Sequence, residues 1–139
     1  MVIVGGGTAG VEEGIHWAEK GKQVTIIEKN DVLAPYAPFV YRQSLLLECE
    51  KKNDLRILLG TKCVAIEEKQ VRTINDQGEE QVFPADTVLL ATGVVPLRVE
   101  AESFRDCAKE FRIIGDCRKP QTVFDANKDG YNVAMGLTF

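Results

Sequence analysis

Val2-Ile3-Val4-Gly5-Gly6-Gly7-Thr8-Ala9-Gly10 opens this chain with a short apolar run that ends in three glycines. A helical pattern follows over Ala9–Lys20, with Val11, Ile15 and Ala18 on one face and Gly21 just past its end. Strand, glycine turn and helix in that order make the cradle that a dinucleotide pyrophosphate requires. Gly5 lets the chain turn off the strand. Gly7 leaves out the Cβ that would keep phosphate oxygens from the backbone, and Gly10 allows close helix–sheet packing. The helix N–H groups then point at the phosphates. The next strand, Gln23–Glu28, ends in an acid eighteen residues past Gly10. An acid at that distance suits an adenosine ribose, from whose hydroxyls it can accept.

A chain of 139 residues is long enough for one domain with its own core. The 45% hydrophobic and 27% charged composition is that of a soluble globular protein. A net charge of −4 without a Lys/Arg cluster argues against nucleic acid as a partner. No run reaches membrane-span length and no leader pattern is present, so no membrane association is expected. Four cysteines, at 49, 63, 107 and 117, form no CxxC pair, and there is one histidine, His16. That spacing suits neither zinc nor a redox dithiol, so free thiols in a reducing cytoplasm are expected, with no metal site.

Further along, Asn30–Pro38 reads as a loop and Phe39–Lys52 as a helix, with Leu45, Leu46 and Leu47 near its buried side. Arg56–Leu59 reads as a third strand. Lys62–Glu67, Gln70–Ile74 and Glu80–Phe83 follow with hairpin-length connections, an antiparallel meander where a plain Rossmann fold has a crossover helix. Asp86–Ala91 resumes an apolar strand ending at Thr92-Gly93. Val94–Glu110 is an irregular connection. A strand at Phe111–Ile114, a Gly115-Asp116 turn and a helix from about Phe124 to Leu137 complete the reading. The expected class is α/β, a Rossmann-like FAD/NAD(P)-binding fold with a parallel sheet and a three-stranded antiparallel meander.

The glycine fingerprint, the acid-terminated second strand, the meander, "LLATG" at 89–93 and "IIGD" at 113–116 occur in that order. In that combination the chain resembles the two-dinucleotide-binding-domain flavoproteins, the pyridine nucleotide-disulfide oxidoreductase superfamily. Its closing segment, "FRIIGDCRKPQTVFDANKDGYNVA" at 111–134, is similar to the C-terminal end of the 2,4-dienoyl-CoA reductase and 2-enoate reductase family. Such proteins combine an Old Yellow Enzyme-like FMN barrel, an iron–sulfur cluster, FAD and an NAD(P)H domain. The resemblance implies a piece of a larger parent: residues 1–96 as NAD(P)H-binding domain, 97–110 as connection and 111–139 as the last segment of the FAD-binding part. It implies that Gly5, Gly6, Gly7, Thr8, Ala9 and Gly10 hold the pyrophosphate, that Glu28 takes the adenosine ribose, and that Glu12 sits toward the nicotinamide. Thr92 and Gly93 would let the backbone pass close to the cofactor. Asp116, after Gly115, matches the acid that bonds the flavin ribityl chain.

Several alternatives stay open from the residues. Glu28 would repel a 2′-phosphate and so favours NADH, whereas Lys29 could assist NADPH. Glu13 rivals Glu12, since helix register decides which faces the site. A glutamate at position 12 looks like the pyridine-nucleotide form of the motif. A self-contained FAD module and a non-catalytic NADH/NAD⁺ sensor are the rival functions. Residues 111–139 are expected to fold back as a strand and helix or to swap into a second copy, giving a homodimer.

Overall fold

Three branched residues in succession, Val2-Ile3-Val4, are best buried on both faces of a sheet, and that is where the chain puts them. The computed structural model describes residues 1–136. It divides into two units, Met1–Gly93 and Val94–Phe139.

In the first unit, β1 (Val2–Val4) is central to a parallel sheet with β2 (Val24–Ile27), β3 (Leu55–Leu58) and β7 (Val88–Leu90), in the order β3-β2-β1-β7. Ile3 stands between Ile26 and Leu89. Helix α1 (Thr8–Glu19) links β1 to β2, and α2 (Phe39–Glu50) links β2 to β3. Between β3 and β7 the antiparallel strands β4 (Thr61–Glu67), β5 (Gln70–Asn75) and β6 (Glu80–Pro84) form the meander. The α/β class and its three-stranded meander are therefore as expected.

Strand alternation divides the core in two. Ile3, Val24 and Ile26 pack with Val11, Ile15 and Ala18 of α1 and with Leu45 and Cys49 of α2. Val2 and Ile27 pack instead with Val71 and Ala85 beside the meander. Ile26 is fully buried, so truncating it to alanine would cost about 2–5 kcal/mol. Gly14 lets α1 lie low on the sheet, since a Cβ there would stand 2.6 Å from Ile26 Cδ1. Of the three leucines in α2, Leu45 is buried, Leu46 is partly buried and Leu47 is 55% exposed. About 100° separates successive helical residues, so three in a row cannot share a buried side.

The second unit holds the short helix α3 (Arg98–Glu102), 3-10 turns at Arg105–Cys107 and Gly115–Cys117, and α4 (Val123–Ala134). The expected strand at Phe111–Ile114 is not formed. The segment is extended at Ile114, with φ −133° and ψ 169°, but pairs with no strand among the described residues. An apolar run supplies side chains for a strand; a neighbouring backbone must supply the ladder. Helix α4 starts one residue before the expected Phe124, because Thr122 and Asp125 form a reciprocal capping box. The expected end at Leu137 lies outside the described residues. Among the described residues no helix is long and apolar enough to cross a membrane.

Candidate nucleotide-binding site

Where β1 ends, the chain packs closer than side chains permit. Gly5 turns at φ 109°, and its N–H donates to the Ile27 carbonyl at 2.8 Å. A Cβ on Gly5 would stand 2.3 Å from the Ala91 carbonyl oxygen, and one on Gly10 would stand 1.9 Å from that of Gly5. The end of β7, the turn and the start of α1 thus close on one another through absent side chains. Gly7 is different. Its φ is −65°, and nothing lies within 4 Å of where its Cβ would be. Neither backbone nor neighbours require glycine there, and the space above it is open.

The same turn leaves donors unused. Gly7 caps α1 without a side-chain hydrogen bond, and no acid stands in the first helical turn. The N–H groups of Gly7, Thr8, Ala9 and Gly10 donate to no protein acceptor among the described residues. Converging unpaired N–H groups at the positive end of a helix favour an anion.

Glu28, only 7% exposed, flanks the turn. Its Oε2 accepts the Gly6 N–H at 2.6 Å. Its Oε1 accepts from the Asn30 N–H at 2.8 Å and from Asn30 Nδ2 at 2.6 Å. Gly6 is held from its other side as well, since its carbonyl accepts the Ala34 N–H at 2.8 Å. Ala34 is buried at φ 45°, a left-handed conformation that alanine adopts at a cost and that this contact helps hold. Arg42 Nε bonds the Leu33 carbonyl at 2.8 Å and ties the same loop to α2. Among the described residues no cation lies within ion-pair distance of Glu28. Oε2 has one protein donor and keeps an acceptor direction for a hydroxyl. Asn30 and Ala34 were missed in the sequence, where Asn30 signalled only a turn.

The remaining candidates are more scattered. Lys29 is exposed. Glu12 accepts a hydrogen bond from the Tyr41 hydroxyl of α2, whose proton it holds more tightly than usual. Glu13 accepts from Trp17 Nε1 at 3.0 Å, one turn along its own helix. Thr92 and Gly93 are exposed beyond the end of β7, and Gly93 has φ 85° with open space at its Cβ position. Burial pushes the Cys49 and Cys63 thiols up, and all four cysteines are free.

Gly115 and Asp116 belong to the second unit. Gly115 turns at φ 59°, and its N–H donates to Asp129 Oδ2 at 3.2 Å. Arg118 grips the same carboxylate in bidentate fashion, Nε to Oδ2 at 2.9 Å and Nη2 to Oδ1 at 2.7 Å. That guanidinium holds Asp129 below the usual carboxylate range. Asp116 itself is exposed. Asp129 went unnoticed in the sequence, although a charge in the apolar stripe of Ala126 and Val133 was a readable sign of a partner.

The sequence profile of the pyridine nucleotide-disulphide oxidoreductase family matches residues 1–109. A bilirubin reductase from Mediterraneibacter gnavus is 30% identical over 99% of this chain and 21% of its own length. A cinnamate reductase from Clostridium sporogenes is 27% identical over the same shares. Among solved structures, a 2-naphthoyl-CoA reductase in complex with 2-naphthoyl-CoA has a TM-score of 0.79 at 24% identity, over 99% of this chain and 21% of that one. The chain thus spans about a fifth of the length of the relatives it matches. Their names agree with the resemblance to enoate-type and enoyl-CoA-type reductases read from the closing segment. With the family profile matched over residues 1–109, on a Rossmann-like fold with this glycine turn, the chain belongs to the pyridine nucleotide-disulphide oxidoreductase family.

Proposed function

We propose that this chain is the NAD(P)H-binding part of a flavin-dependent oxidoreductase. Residues 1–96 bind the nucleotide, 97–110 connect, and 111–139 complete the FAD-binding part of the parent. The pyrophosphate lies over Gly5, Gly6, Gly7, Thr8, Ala9 and Gly10. The adenosine ribose donates to Glu28, and the nicotinamide runs toward Glu12, Thr92 and Gly93. NADH is preferred to NADPH because an anionic 2′-phosphate would meet the Glu28 carboxylate.

One observation carries this reading. Gly7 has an ordinary backbone and empty space over it, beside four N–H groups without a protein acceptor. The turn is open over Gly7, where a phosphate would sit, and packed against protein at Gly5, Gly6 and Gly10, so the residues present fit a dinucleotide.

NADH, when bound, would supply a hydride for an FAD held elsewhere in the parent, where FMN and an iron–sulfur cluster are also expected. Hydride transfer needs alignment more than a protein acid or base. The chain's contribution is to bind and orient. The exposed apolar residues of the second unit, among them Val123 at 79% and Phe124 at 73%, are covered by other parts of the parent or by a second copy.

Parallel calorimetric titrations with NADH, NADPH and FAD test the proposal, with Gly7→Val as the variant. Saturable NADH binding without FAD binding is expected, and Gly7→Val should lower NADH affinity at least about tenfold with little change in melting. FAD binding in place of NADH would overturn it.

A further inference from the structure

Glu28 has no cation partner among the described residues, so its direction is set by donors alone. The Gly6 N–H fixes Oε2 from the glycine turn. Asn30 fixes Oε1 twice, through its backbone N–H at 2.8 Å and its side-chain Nδ2 at 2.6 Å. The backbone of Asn30 is anchored in turn, its carbonyl accepting the Gly60 N–H at 3.0 Å. Gly6 also lies close against Glu28, since a Cβ on Gly6 would stand 2.8 Å from Glu28 Cβ. A carboxylate held at both oxygens swings aside only by breaking these bonds.

That rigidity has a consequence for which nucleotide can enter. A ribose 2′-hydroxyl donates to a fixed carboxylate at no cost in rearrangement. A 2′-phosphate brings like charge against it. The available relief is for Glu28 to rotate out and leave the phosphate to Lys29, and the side chain of Asn30 opposes that rotation. We propose that Asn30 is a positioning residue for nucleotide choice. By holding Glu28 Oε1, it makes the chain discriminate between adenosine nucleotides with a free 2′-hydroxyl and those with a 2′-phosphate. The inference rests on the nucleotide reading of Glu28, but only on the adenosine half, which NADH and FAD share.

The test is titration of ADP-ribose and 2′-phospho-ADP-ribose into the chain and into Asn30→Ala, with thermal melting of both. The unmodified chain should prefer ADP-ribose. In Asn30→Ala that preference should narrow about threefold to tenfold, the scale of one ordinary hydrogen bond. Melting should change little, because Asn30 is exposed. An unchanged ratio in Asn30→Ala would overturn the proposal. So would an unmodified chain with no preference, or an equal loss of affinity for both ligands, which is what a purely structural role would give. FAD binding in place of NADH would overturn the pyridine-nucleotide reading and leave the Asn30 ratio to stand.

Discussion

Two glycine turns in this chain are each fastened by a mostly buried carboxylate. At the end of β1, Gly6 donates to Glu28; before α4, Gly115 donates to Asp129. The local device is the same, and its charge balance is opposite. Asp129 is gripped on both oxygens by Arg118. Glu28 has neutral donors and no cation within ion-pair distance among the described residues. One carboxylate is paired with a cation inside the protein; the other is held by neutral donors alone. That difference is what the proposed nucleotide site requires of the first turn, while the second is fastened within the protein.

The sharpest way to break this contrast is to put a methyl group in each turn. Gly10→Ala drives Cβ to 1.9 Å from the Gly5 carbonyl oxygen, where only backbone can yield. It should lose about 3 kcal/mol or more of stability in denaturant unfolding. Gly115→Ala meets nothing nearer than Ala126 Cβ at 3.7 Å, so its cost is the left-handed backbone alone, about 1–2 kcal/mol. Equal losses would mean that the first turn is no more tightly closed than the second.

Charge removal separates the two next. Glu28→Gln keeps the size of the side chain but turns one acceptor into a donor against Gly6 or Asn30. NADH affinity should fall at least about tenfold by calorimetry. Asp129→Asn should leave NADH affinity within about twofold while loosening hydrogen-exchange protection at Gly115 and α4. If Asp129→Asn weakened binding as much as Glu28→Gln, the second turn would be part of the nucleotide site.

These contrasts also show what the sequence could and could not reveal. Local period and composition exposed β1, the glycine turn, α1 and the meander, because each is decided within a few residues. The strand at Phe111–Ile114 failed because its apolar run is only half of a strand, and the missing half is a partner. Leu47 failed for a geometric reason, a helix having no room for three adjacent leucines on one side. Glu28 was legible as an acid at the right distance. Its donors were not, since Gly6 lies twenty-two residues away and the bond exists only once β2 pairs with β1. That Asp129 needs a partner was legible from its apolar stripe, but that the partner is Arg118 was not, for nothing short of the fold sets α4 against the turn.

Acid probes the second turn further. Arg118 holds Asp129 below its ordinary value, so the folded form binds its proton more weakly than the unfolded chain does. The pair's contribution is present above the unfolded carboxylate value, about 3.9, and is lost as pH falls through the depressed folded value. The hydrogen-exchange protection of the Gly115 amide, measured against its intrinsic rate at each pH, should hold down to mildly acidic pH and fall below it. In Asp129→Asn that acid step should vanish.

Alkali gives the smallest effect, and it bears on Glu12. Its carboxylate accepts the Tyr41 hydroxyl proton, a bond that raises the phenol above its ordinary value, with repulsion between carboxylate and phenolate adding to the rise. The contact is present below the ordinary tyrosine value, about 10, and is lost as pH rises through the raised one. Among the tyrosinate steps of an ultraviolet titration, the one that disappears in Tyr41→Phe should lie above the ordinary value and move to lower pH in Glu12→Gln. Both groups are solvated, so the melting temperature should hardly respond. Adding NADH during that titration sharpens the comparison of the two turns. If the nicotinamide runs toward Glu12, bound nucleotide will shift the Tyr41 step; a step indifferent to NADH would confine the binding device to Glu28 and the glycine turn.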